Sequence, residues 1–144
     1  MKKILLIIFL FCPFNLVAVE KTKEEKVAKY VLENIQKDYV NCYSFYKIAA
    51  ESFKKAGREK TIIEGLEKSA DVTLKFNHDL GEVLGFTSKM MGVNTKKQVE
   101  KFTVIAKKDF TTLTNQYGLM CKKLVENQKQ RIDYWEEKGN KIIK

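Results

Sequence analysis

Proline occurs once in this chain, at Pro13. Everything after it lacks the residue that removes a backbone donor and clashes with the preceding turn, so nothing downstream forces a helix to stop. Hairpin signals of the Asn-Gly or Asp-Gly type are missing, as is strict apolar/polar alternation. The expected fold is all-α: an antiparallel bundle of three long helices, or of four if the last one splits.

The first helix is announced by Thr22-Lys-Glu-Glu25, a capping box in which the Thr22 and Glu25 side chains satisfy orphan amide donors. Val27, Val31, Ile35, Tyr39, Cys42, Tyr46, Ala49 and Phe53 then recur in steps of three and four, which keeps them on one face. Gly57, following Lys54 and Lys55, is placed to end that helix, with cations at the negative end of its dipole. A second helix is expected from Glu59 to about Phe86. One of its stripes is Ile63, Leu66, Ala70, Thr73, Asn77, Leu80 and Leu84; beside it run Val72, Phe76 and Val83, which would bury the helix on two sides. Residues 85–94 read as a connection. Thr95-Lys-Lys-Gln98 is another capping box, and the helical spacing from Val99 to Trp135 predicts a third helix of roughly 40 residues, or ~60 Å. Gly118 is where it would bend or divide.

The N-terminus constrains the compartment. Two lysines, an apolar run from Ile4 to Phe14 and a small residue at Ala18 make the pattern of a secretory signal peptide over residues 1–18. The run is about half the ~20 residues a membrane-spanning helix needs. Cys12 follows the bulky Phe11, which disfavours lipidation. Cleavage near Ala18 would leave residues 19–144 as one domain, periplasmic or secreted. Lys2 and Lys3 would leave with the signal, taking the formal charge from +9 to +7. Cys42 and Cys121 then remain as an even pair in an oxidising compartment, where one disulfide between them is expected. Both fall on the expected buried faces.

The chemistry is marked by what is missing. No Cys-x-x-Cys-His, Gly-x-Ser-x-Gly, phosphate-cradling glycine loop or Cys-x-x-Cys occurs, and His78 is the lone histidine. The expectation is a non-enzyme with no catalytic residues, no metal site and no cofactor. His78 and Glu82, one turn apart, read as a surface pair. Asn77 and Thr73 on an apolar stripe read first as buried groups that fix helix register, or else as the lining of a polar pocket. Tyr39, Tyr43, Phe45 and Tyr46 around Cys42 read first as core; with Asn77, the three tyrosines are also the candidate walls of a site for a small apolar or aromatic ligand held between helices.

Lys96-Lys97, Lys107-Lys108 and Lys122-Lys123, with Lys101, Lys129 and Arg131, could form a basic stripe, or simply a solvated face. An exported chain disfavours nucleic acid and favours an anionic membrane surface or envelope polymer. The stretch 128–144 interleaves Ile132, Tyr134 and Trp135 with cations. Because the third helix would outreach the first, this end is expected to project. Arg131, Ile132, Trp135 and Lys138 are then the candidate interaction residues. The competing arrangement has Ile132 and Trp135 folded back against the bundle's end, with Gly139 stopping the helix. The expected role is a small exported accessory protein of the bacterial envelope that binds a protein, a membrane or an anionic polymer; the alternative is a carrier of a small ligand.

Overall fold

A computed structural model describes residues 22–144, which are helical almost throughout, with no strand among them. The expected signal peptide, residues 1–18, and its expected cleavage near Ala18 lie outside the described residues. Five helices follow one another: α1, Lys23–Lys55; α2, Lys60–Val83; α3, Ser88–Lys108; α4, residues 110–126; and α5, Gln128–Ile142. Within α4, a π-helical turn at Thr114–Gly118 separates α-helical Phe110–Leu113 from Leu119–Glu126.

The Thr22 box forms as its residues dictate: the Glu25 amide donates to Thr22 Oγ1 at 3.2 Å, and the Thr22 amide to Glu25 Oε2 at 3.1 Å. At the other end, Gly57 adopts φ 64° and lets the Arg58 amide reach back to the Phe53 carbonyl at 3.0 Å. Gly85 does the same for α2 at φ 77°, with Phe86 donating to the Gly81 carbonyl at 2.8 Å.

The count of helices departs from expectation downstream of α2. The third helix opens at Thr87, whose hydroxyl accepts from the Met90 amide at 3.2 Å, and not at Thr95. Thr95 is buried within α3 instead, because Met91 and Thr95 pack inward and helix continuation exposes no orphan donor there. The expected long final helix is cut twice, at Asp109 and at Asn127, while at Gly118, where it was expected to bend or divide, the π-helical turn Thr114–Gly118 ends and the α-helix resumes. Asp109 turns extended (φ −159°, ψ 105°), and its carboxylate accepts the Thr111 and Thr112 amides and the Thr112 hydroxyl. Those bonds, the Thr112 hydroxyl's first, hold the Asp109 carboxyl below its ordinary value. Asn127 makes the second cut (φ −152°, ψ 83°). At Asp109 local side-chain bonding replaces helix continuation, which is how a short polar residue can end a helix that lacks proline; at Asn127 the backbone turns without a side-chain cap.

Helix α1 is the element that α2, α3, α4 and α5 all touch. Its stripe supplies Ile35, Tyr39, Cys42, Phe45, Tyr46 and Ile48 to a core completed by Ala70, Phe102, Leu113, Cys121 and Leu124. The sulfurs of Cys42 and Cys121 lie at a bonded 2.07 Å, with Cα atoms 5.2 Å apart, so the expected disulfide ties α1 to α4. Helix α2, by contrast, is buried on one side only. Val83 is 71 % exposed and Phe76 lies at the surface, stacked on Tyr39.

Candidate binding site

Four residues brought forward by the aromatic cluster end up in the protein's own packing. Tyr39 is buried against Phe76, with ring centroids 5.1 Å apart, and burial pushes its hydroxyl up to about 12. Tyr46 is buried beside Phe45 and is likewise raised to about 12, by burial first and by Glu126 second. Asn77 is fully buried: Gln36 Nε2 donates to its Oδ1 at 2.6 Å, and its Nδ2 donates to Thr95 Oγ1 at 3.3 Å. That chain of amides and a hydroxyl joins α1, α2 and α3, and fixes how the three stand against one another. Only Tyr43 is half-exposed; it lines clefts that Lys47 also borders. Tyr39, Tyr46 and Asn77 are therefore taken up by the protein's own packing, while Tyr43 borders open space.

The C-terminal group assembles differently. Helix α5 lies back along α1 and does not project. Arg131 Nε donates to Asp38 Oδ2 at 2.6 Å and Nη2 to Oδ1 at 3.2 Å, while the Trp135 indole donates to the same Oδ2 at 2.6 Å. Asp38 is only 5 % exposed, so this fork and the indole hold a carboxylate that is largely shielded from water. Tyr30 meets Trp135 edge-on at 6.0 Å. One turn further on, Gly139 is buried in the helix and does not stop it: a Cβ there would sit 3.1 Å from both Tyr30 Cδ1 and Val27 Cγ1. The missing side chain is what lets α5 close onto α1.

Spacing of three and four places Arg131, Tyr134, Trp135 and Lys138 on one helical face. The Arg131 guanidinium carbon stands 4.4 Å from the Tyr134 ring centroid and 4.8 Å from that of Trp135; Lys138 Nζ stands 4.6 and 5.2 Å from the same rings. Tyr134 is 39 % exposed. Its phenol is lowered from the ordinary value, chiefly by hydrogen bonding to Lys138 and then by the charges of Lys138 and Arg131. Ile132 points away from this ladder, into an apolar cleft of about 440 Å³ between α1 and α5 walled also by Val27, Val31 and Leu80.

A separate cleft of about 520 Å³ opens where α4 meets α5. Leu119, Met120 and Leu124 form its apolar surface, Tyr134 a wall, and Lys123 and Arg131 its charges. Asn115 and Gln116 reach it from the π-turn, and Asn127 and Gln130 from the helix junction; no carboxylate lines it. Leu119 is 66 % exposed there. The π-turn contributes to the shape: its extra residue bulges the backbone and brings Asn115 and Gln116 to the lining. Elsewhere the basic stripe is partly self-neutralised, with Lys96, Lys122 and Lys129 facing Glu100, Glu126 and Asp133 one turn on.

Among the expected interaction residues, then, Arg131 and Trp135 are fasteners to Asp38, Lys138 is exposed above the rings, and Ile132 serves another cleft. Asp38 and Leu119 are functional candidates that sequence reasoning passed over, while Lys123 entered it only as part of the basic stripe and Tyr134 only as part of the C-terminal stretch. Asp38 could have been found: it falls three after Ile35 and four before Cys42, on the buried face, and a carboxylate in that register requires a partner.

Among the described residues no group of His, Cys, Asp and Glu side chains is arranged to hold a metal ion. No helix among them is long and apolar enough to cross a membrane. Comparison with known protein families, curated proteins and solved structures returns no match for this chain.

Proposed function

We propose that this chain is an exported, non-enzymatic accessory protein of the bacterial envelope, folded as a helical bundle around α1, that binds anionic membrane lipid through the face where α4 meets α5. The observation that carries the reading is one of composition in space. Exposed Leu119 and Tyr134 share a cleft with Lys123 and Arg131, Lys138 stands over the same rings, and no carboxylate enters the lining. Apolar and aromatic surface interleaved with cations is what an anionic interface attracts, with the charge drawing the protein in and the apolar groups entering the headgroup layer. The formal charge of +9, or +7 without the export segment, gives the same sign at long range.

The test is cosedimentation of residues 19–144 with vesicles of phosphatidylglycerol or of phosphatidylcholine. Binding is expected to the anionic vesicles alone, to weaken with added salt, and to fall at least tenfold in the Lys123→Glu/Lys138→Glu double variant. Equal recovery with both vesicle types, or none with either, overturns the reading.

A further inference from the structure

The cleft between α4 and α5 is more than part of a sticky face. We propose that it is a closed-stoichiometry site for one single-chain anionic amphiphile, an acyl or alkyl chain bearing a phosphate or carboxylate, an inference that rests on the anionic-lipid reading of the same face.

Three features separate a site from a surface here. First, size: about 520 Å³ falls in the range of pockets that enclose a drug-sized molecule, whereas a headgroup merely touching a helix needs no such volume. Second, the polar and apolar parts are segregated. Leu119, Met120 and Leu124 offer a continuous apolar surface, and Met120 runs inward until its sulfur lies 3.8 Å from Cys42 Sγ. A methionine lining suits a flexible chain, since its thioether adapts to irregular shapes. Third, every lining charge is positive. Arg131 is already aimed by Asp38, which takes its Nε and Nη2 edge and so fixes the plane of the guanidinium. Lys123 stands free of any acidic partner in the lining, and the carboxamides of Asn115, Gln116, Asn127 and Gln130 can each donate to an anionic oxygen. A neutral ligand would leave this donor set without a use, and a free anion would leave the apolar surface wet.

The protein carries its own reporter, because Trp135 is the lone tryptophan and meets Tyr134, a wall of the cleft, at 5.0 Å between rings. Trp135 emission is therefore followed as residues 19–144 are titrated with dodecyl phosphate below its micelle concentration. Dodecyl maltoside serves as the uncharged chain and inorganic phosphate as the chainless anion. Expected is saturation at one dodecyl phosphate per protein, with both controls at least tenfold weaker. Leu119→Gln and Lys123→Glu, at exposed positions, should each weaken binding about tenfold with an unchanged melting curve. If either control binds as tightly, or if both variants bind like the parent, the site assignment is wrong. Loss of one-to-one binding alongside intact sedimentation with phosphatidylglycerol vesicles refutes the cleft while sparing the membrane reading. One-to-one binding without vesicle binding does the reverse.

Discussion

Asp38 concentrates the fold's electrostatics in one side chain. A carboxylate that is 5 % exposed survives burial only because Arg131 and Trp135 donate three bonds to it from a helix more than ninety residues away. Breaking such a pair from one side leaves an uncompensated charge, whereas replacing both partners by apolar groups of similar volume removes the desolvation cost as well. Arg131→Met should therefore lower unfolding free energy by about 3 kcal/mol in urea titration, and Asp38→Leu/Arg131→Met should recover most of that loss. If the double variant is as weak as the single one, the pair contributes through packing and not through charge. The stripe that carries Asp38 was legible in the sequence, yet its partner was not. Position along α1 follows from counting residues, but which cation comes to meet it depends on how α5 returns. Asn77 teaches the same point from the other side. Its burial and register-fixing role could be read from the stripe, while Gln36 and Thr95 as its partners could not, because they lie on other helices.

At the scale of elements, the long helices α1 and α2 follow from caps, spacing and terminal glycines. The breaks after α2 do not. Thr95 presents a stronger local cap signal than Thr87, and packing of Met91 and Thr95 overrides it. Asp109 and Asn127 end helices without any glycine or proline, so hydropathy alone runs straight through them. Glycines in otherwise regular helix show how such context decides. Gly92 in α3 is exposed with nothing within 4 Å of an added Cβ, so Gly92→Ala should raise stability by up to about 1 kcal/mol through helix propensity alone. Gly139 in α5 faces Tyr30 and Val27 at 3.1 Å, so Gly139→Leu should lower it by about 1–3 kcal/mol through overpacking. Thermal melts of the two variants should move in opposite directions; a shared direction would mean that α5 is not pressed against α1.

For the molecule as a whole, the Cys42–Cys121 disulfide is, among the described residues, the covalent tie that joins α1 to α4. It closes a loop of 79 residues, and the chain-entropy argument puts its contribution at about 4 kcal/mol. Replacing both cysteines by alanine, which buries no new hydroxyl, should lower Tm by 10 °C or more, on the order expected for a domain this size. A shift of only a degree or two would mean that the reduced, unfolded chain is already compact around the same contacts. The pairing of Cys42 with Cys121 was legible because only two cysteines follow the expected signal peptide; the antiparallel return of α5 was not, since its apolar residues suit projection and docking equally well. That return has a consequence for the order of events during synthesis. Among the described helices the first to be made, α1, is covered along Val27, Tyr30 and Asp38 by the last, α5. During synthesis, therefore, α2, α3 and α4 can cover the middle of the α1 stripe as they emerge, while the part along Val27, Tyr30 and Asp38 stays open on that side until Gln128–Ile142 has been made.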